Sequence, residues 1–552
     1  MAACYRRAAV LSLVIVTAVG AAVLSGCSGA VVDQIDYAVD GGLTSYNTST
    51  VSGAAAAGAQ AFARALTGFG YHGPDGQVVA DRDFGSISVV GRTPLVLDYQ
   101  IADEAVWSDE QPITCDDLVL AWTAQSGRFP GFDAANRSGY ADIAGIDCRA
   151  GQKKARVSLA DGRTIVDYQQ LFTATSIMPA HVIAEALGLS PADVTAALLG
   201  ANLPVVDRIA QAWNSIWQLK PGLDRKHFPS SGPYKIDTVL DGGAVVLVAN
   251  DRWWGAKAVT KRVTVWPQAA DLQDRVDRRA VDVVDVATGS AGPLNIPDGY
   301  QSTDAPSGGI EQLIFAPSGP LAEIPARRAV ALCTPRDVIA HDAGIPVANS
   351  RLDTAADNAL NQAENAPEVD GFTRADPAAA RDALGGRPLA VRIGYRAPNP
   401  RLAAVVGVIT GSCGPAGITV TEVASDATGP QALRDGQIDV LLAGSGGATG
   451  SGSTGSSPMD AYALHSGNGN NLAGYRNDQI DGIIDTLAVT VDPAEIVRLL
   501  RESTPVLWAD LPTLPLYRQH RTVLMSRKIY GVVTNPTRWG AGWNMDRWAL
   551  QQ

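Results

Sequence analysis

One stretch of this chain constrains the fold more than any other. From Leu389 to Ala443 three apolar runs alternate with two helix patterns. Leu389–Tyr395 reads as a strand, and Asn399-Pro400 then opens a helix reaching about Ser412, with Pro at its first position. Ile418–Val423 reads as a second strand, Gln431–Asp435 as a short helix and Ile438–Leu442 as a third strand. A β-α-β-α-β order of this kind predicts a parallel sheet covered by helices, which makes the fold class α/β. Open sheets of this type bind ligands beyond the carboxyl ends of their strands, at a switch point. The loop leaving the third strand, Ala443–Ser457, is rich in Gly, Ser and Thr, so its backbone can approach a ligand closely.

The rest of the 552 residues bounds the class. Hydrophobic residues make 46% and charged residues 18%, which excludes wholesale disorder. Arg6 and Arg7 precede an apolar stretch from Ala8 to Leu24, and Ser25, Gly26 and Cys27 follow. That is a secretory signal, and a Cys directly after Leu-Ser-Gly resembles the bacterial lipobox, in which the Cys is acylated and becomes the new N-terminus. Removing Arg6 and Arg7 with this segment takes the net charge from -12 to -14, because residues 1–26 hold no acid. A strongly acidic chain is a poor partner for nucleic acid. Four cysteines remain beyond Cys27, and an exported chain with an even number points to two disulfides. Cys115, Cys148, Cys333 and Cys413 allow three pairings, of which Cys115–Cys148 and Cys333–Cys413 join nearest neighbours in sequence.

Helix starts are marked elsewhere too. Thr114 with Asp117, and Asp492-Pro493 with Glu495, carry capping patterns; Ser190-Pro191 and Asp376-Pro377 open two more helices. Pro505 is a candidate kink in the last long helix. Catalytic signals are missing. The six His are scattered, and neither H-E-x-x-H nor a phosphate loop nor G-x-S-x-G occurs. Gly450, Gly452 and Gly455 match G-x-G-x-x-G, but the chain runs into Ser456-Ser457-Pro458 where a long helix is needed. The expectation is a binding protein without enzymatic activity, cofactor or metal.

Several segments resemble a known family. Val106-Trp107-Ser108-Asp109 through Pro112-Ile113-Thr114-Cys115-Asp116-Asp117 is similar to the "W-S-D-G-x-P-h-T-A-x-D" signature of extracellular solute-binding proteins of family 5. These are the dipeptide- and oligopeptide-binding lipoproteins of ABC importers. Met178-Pro179-Ala180-His181, Ser231-Gly232-Pro233-Tyr234, Asn250–Gly255, Val281–Val283, Arg327–Val330 with Asp337, and Asn470–Tyr475 with Asp481 resemble further family segments in the family's order. Tyr46-Asn47-Thr48 and Gly76–Thr93 resemble an actinobacterial branch.

The resemblance implies a periplasmic-binding-protein-like two-lobed clamp (class II, cluster C) with a small extra α+β domain. The expected division is 1–26 signal, 27–57 lobe I, 58–227 extra domain, 228–310 lobe I, 311–517 lobe II and 518–552 lobe I. It implies a monomer, lipid-anchored at Cys27 on the outer face of the cytoplasmic membrane, that passes peptides or other small solutes to an ABC permease. The ligand contacts it implies are Tyr46, Asn47 and Thr48 from one lobe and Gly444, Ser445, Gly446 and Gly447 from the other. Trp107, Asp109, Gly232 and Pro233 are expected to be structural. One departure is sharp. The family's peptide binders hold the ligand's ammonium with an Asp just after the third strand, and no acid occurs here from Val440 to Met459. Asp36, Asp40 or Asp460 then takes over, or the ligand has no free peptide amine. The second case admits an envelope lipoprotein of the same fold that binds a glycolipid or other non-peptide ligand and regulates envelope synthesis.

Overall fold

The computed structural model describes residues 33–164, 168–352, 367–445 and 458–551. Cys27, Gly446 and Gly447 lie outside them.

Ten strands form the main sheet. In chain order they are β1 Gln34–Val39, β2 Tyr234–Val239, β3 Val245–Ala249, β4 Arg262–Trp266 and β5 Val283–Ala287. Then follow β6 Tyr300–Phe315, β7 Leu389–Arg396, β8 Ile418–Ser425, β9 Val440–Gly444 and β10 Thr513–Ser526. Their spatial order is β8-β7-β9-β6-β10-β5-β1-β4-β3-β2. The β-α-β-α-β stretch forms as expected: β7 pairs in parallel with β8 on one side and β9 on the other. The helix between β7 and β8 spans Pro400–Cys413, with the Asn399 side chain capping it. The third strand starts two residues later than expected. The amides of Gln437 and Ile438 still bond the Ala432 carbonyl, so the preceding turn consumes them.

Two strands are far longer than the rest. β6 has 16 residues and β10 has 14, and they pair antiparallel along nearly their whole length. The register shifts between Pro306 and Ile310, where three residues of β6 stand opposite Gln519 alone. On one side of this bulge β10 also pairs with β5; on the other β6 also pairs with β9. Both halves of the sheet therefore hang on the same two strands.

Burial divides the same way. One hydrophobic core holds Ile35, Tyr37, Val263 and Trp548 from β1, β4 and the C-terminal segment. A separate core holds Leu313, Val391, Ile409, Val440 and Tyr517. The chain thus has two lobes joined at the bulged strand pair. The segment expected as an extra domain contains a four-stranded antiparallel sheet, Gly85–Arg92, Leu95–Ile101, Lys154–Leu159 and Ile143–Asp147, with helices including Cys115–Gln125 and Leu203–Ser215. Its Leu97, Tyr99, Trp122 and Trp213 belong to the first lobe's core, so the two are welded by continuous packing. Pro505 does not end the last long helix, which runs from Pro493 to Asp510.

The cysteines pair Cys115 with Cys148 and Cys333 with Cys413. The second bridge ties the ends of helices Ile324–Cys333 and Pro400–Cys413 inside the second core. It closes the longer loop, 80 residues against 33. Loop-closure entropy puts its contribution at about 4 kcal/mol and that of the shorter bridge somewhat lower. Guanidinium unfolding read by tryptophan fluorescence should show Cys333→Ser/Cys413→Ser losing more stability than Cys115→Ser/Cys148→Ser.

Candidate functional site

The lobes meet along a narrow seam. From the first lobe come the end of β1, Asp40-Gly41-Gly42, and Gln268 after β4. From the second come Arg396, which ends β7, and Pro398. A side chain at Gly42 would overlap the Arg396 guanidinium, so glycine is what allows this approach. The Gln268 side-chain amide donates to the Ser290 and Pro398 carbonyls, 3.1 Å each, and so bridges the lobes.

Buried charges sit behind the seam, on the shared strands. Arg401 Nη2 lies 2.7 Å from Glu311 Oε2 on β6, and Gln519 on β10 donates to the same oxygen at 3.3 Å. Burial raises the Glu311 pKa, and Arg401 pulls it back only in part. Past the bulge, Arg521 Nε lies 2.7 Å from Asp285 Oδ1. The other Asp285 oxygen accepts from the Ala541 amide at 2.7 Å and from the Gln60 side chain at 3.2 Å. Asp40 is buried too. Burial raises its pKa against the pull of Arg521 and Arg401, and Ser290 donates to it at 3.3 Å.

Two cavities flank the seam. The first, about 410 Å³, lies between Thr44, Ser45 and Lys220 on one side and Arg396, Asp426 and Ala443 on the other. Burial lowers the Arg396 pKa, while Asp426 and Asp40 favour its charged form. The wall therefore carries two cations and one carboxylate. The second cavity, about 530 Å³, is mostly apolar, with Val286, Leu294 and Ile296 facing Ile339, Val405 and Val408. Arg401 lies in its wall, and among the described residues its Nε and Nη1 have no hydrogen-bond partner.

The expected ligand contacts fall differently. Tyr46, Asn47 and Thr48 are at most 1% exposed. Tyr46 Oη lies 2.8 Å from Ser230 Oγ, Asn47 donates to the Trp213 carbonyl, and Thr48 donates to the Thr175 carbonyl. They stand behind the cavity wall, which Leu43, Thr44 and Ser45 form. Gly444 closes β9 opposite Glu311, and Ser445 Oγ accepts from the Ile310 amide at 3.0 Å. None of the acids weighed as substitutes lines either cavity: Asp36 accepts from the Trp266 indole at 2.8 Å, Asp40 faces arginines, and Asp460 lies near Arg538. Asp426 does line one, and the sequence reading passed over it. Its signal was available: it directly follows β8, at the carboxyl end of a parallel strand.

The family segments are structural and meet in space. Asp109 Oδ2 accepts from His181 Nε2 at 2.9 Å, and Asp117 accepts from the Ala180 amide at 2.8 Å. Burial alone would raise the Asp109 pKa, but the His181 contact outweighs it and lowers it. Asn250 donates to the Gly232 carbonyl at 2.9 Å.

A family model described as "Bacterial extracellular solute-binding proteins, family 5 Middle" matches residues 92–463. The chain belongs to that family. It is 69% identical over 538 residues to a protein named as the uncharacterized lipoprotein Rv2585c of Mycobacterium tuberculosis, covering 97% of this chain and 96% of that one. It is 27% identical over 480 residues to the oligopeptide-binding protein OppA of the same organism, covering 82% and 74%. Among solved structures, the oligopeptide-binding protein AppA from Bacillus subtilis, in complex with a nonapeptide, superposes with a TM-score of 0.73 at 15% identity, covering 94% and 99%. The fold is that of a two-lobed periplasmic binding protein. Among the described residues no His, Cys, Asp and Glu cluster is placed to hold a metal ion.

The pair Arg401–Glu311 tests how the charges behind the seam act. Removing one partner leaves a buried charge uncompensated, at a cost of about 3–5 kcal/mol, whereas removing both does not. Urea titrations should find Arg401→Met/Glu311→Met more stable than either single variant.

Proposed function

We propose that this family 5 chain is an envelope lipoprotein, anchored at Cys27, that captures a small zwitterionic solute of peptide type and delivers it to an ABC permease. In this reading the lobes divide near residues 310 and 517, and the ligand is enclosed as they close. The observation that carries it is the first cavity's wall, where Lys220 on one side faces Arg396 and Asp426 on the other. Two cations suit a carboxylate and one acid suits an ammonium, each by charge-assisted hydrogen bonds. The volume of about 410 Å³ falls at the low end of the range for small-ligand pockets, which favours a dipeptide-sized solute over a long peptide. The names of OppA and AppA support the peptide class.

Thermal unfolding of the soluble chain against a dipeptide and tripeptide library is the direct test. Hits should stabilise the wild type. Arg396→Ala should weaken binding roughly 10- to 100-fold, the worth of one charge-assisted bond, and Asp426→Asn only about fivefold or less, because water and salt screen an exposed carboxylate. Asp426 is exposed, so its replacement should leave the unliganded midpoint unchanged. An absence of hits, with no ligand co-purifying in native mass spectrometry, sinks the peptide reading.

The second cavity favours another reading. Its apolar walls beside Arg401 suit the acyl chain and anionic head of an envelope lipid. Lyso-phospholipids belong in the same screen, with Val405→Arg as the variant that should abolish such binding.

A further inference from the structure

Arg351 is buried, and among the described residues no carboxylate pairs with it. It precedes the end of the segment Val347–Leu352 and is 7% exposed. Its Nε donates to the Thr513 carbonyl, at the start of β10, at 2.8 Å. Its guanidinium carbon lies 3.9 Å from the centroid of the Trp508 indole. Among the described residues Nη1 and Nη2 have no hydrogen-bond partner. Among the described residues, Arg336 opposes its protonation and Tyr475 favours it. Burial depresses its pKa well below the usual guanidinium range. An indole face offsets part of the cost of desolvating a cation, but it satisfies none of the N–H groups.

Beside it lies an enclosed pocket of about 20 Å³, walled by Gln312, Arg351, Ser445, Asn470, Leu472 and Thr513. That is room for one or two water-sized groups, which is the size of a carboxylate's two oxygens. Thr513 Oγ1 and Asn470 Oδ1 are also buried without a partner. The residues that wall this space thus carry two N–H-bearing nitrogens, a hydroxyl and an amide oxygen without partners among the described residues. The planar fork of a guanidinium matches a carboxylate in two parallel bonds.

We propose that the Arg351 pocket is an anion site that takes the carboxylate of a small organic acid, either free or carried by the solute in the cleft. Both sources are close at hand. Gln312 pairs with Ala443, and Ala443 lines the first cavity, so the pocket sits directly beside the cleft wall. The site does not depend on the peptide reading, since a free acid fills it equally well.

The test uses the full mature chain. Thermal unfolding is followed against sodium acetate at constant ionic strength, and binding of a dipeptide is compared with that of its C-terminal amide. Wild type, Arg351→Met and Arg351→Gln are measured side by side. A free acid at the site gives a saturable rise of about 1 °C or more with acetate in the wild type and none in Arg351→Met. A solute carboxylate at the site gives a dipeptide preference over the amide of roughly tenfold or more in the wild type that both variants lose. A crystal structure of the wild type soaked in acetate or the dipeptide keeps the proposal testable if the variants fail to fold, because planar density across Nη1 and Nη2 supports it. Water alone at Arg351, with no response to acetate and no preference for the free carboxylate, overturns it.

Discussion

The two lobes depend on a single pair of strands. β6 and β10 stay paired from Tyr300–Ser526 to Ile314–Thr513, and each lobe completes its sheet on them. Their register breaks twice, at the bulge between Pro306 and Ile310 and again between Glu311 and Gln312. A bulge increases local twist and interrupts pairing, so bending concentrates there. Glu311 with Arg401 lies on one side of it and Asp285 with Arg521 on the other. Each lobe thus neutralises its own buried charge next to the bend. Relative motion of the lobes leaves both ion pairs intact, and so avoids the cost of stranding a buried charge. What crosses between the lobes is more exposed to water and salt: the Gln268 bond to Pro398, the packing of Arg396 over Gly42, and the part-exposed ion pairs Arg434–Asp133 and Arg163–Asp485.

Much of this was legible in the sequence because it rests on local rules. Strand and helix periods with proline-opened helices located β7, Pro400–Cys413 and β8 to within a few residues. The family segments located contacts that bind remote turns together, such as Asp109 with His181 and Asn250 with Gly232. The length of β6 and β10 was not legible. Both contain residues that read as breakers or as polar interruptions, including Pro306, Gly308, Gly309 and Pro515. They remain strands because the two pair with each other along nearly their whole length, and tertiary pairing overrides a weak local preference.

The site was less legible than the fold, for a physical reason. Residues that line an interlobe cavity obey no local period, since their neighbours come from the other lobe. Tyr46, Asn47 and Thr48 are polar residues in a loop near the cleft, which reads as ligand contact. Their polar atoms instead join β1's loop to the carbonyls of Trp213 and Thr175 and to Ser230. Asp426 stands after the second strand of the parallel set, whereas the Gly-rich composition that marks a close backbone approach follows the third. Arg351 had no signal at all: a lone arginine among Ala, Asn and Ser reads as surface, and only its packing on Trp508 shows otherwise.

The loss of the family's acid after the third strand now has a physical setting. Asp426 and Lys220 are exposed, so their attraction for a ligand is screened by water and salt and is worth little. Arg396, in the same cavity wall, is more deeply placed. A buried donor gains more from an incoming acceptor than a hydrated one does. Under the proposed reading, the ligand's acid end supplies most of the binding energy and its amine end supplies orientation. A ligand shifts an open–closed equilibrium only by the difference in its affinity for the two states. Arg396 packs against Gly42 of the opposite lobe, so contacts to it form fully only when the seam is closed. The acid end is then the part of the solute that drives closure, and an acid in the loop after β9 is not needed for it.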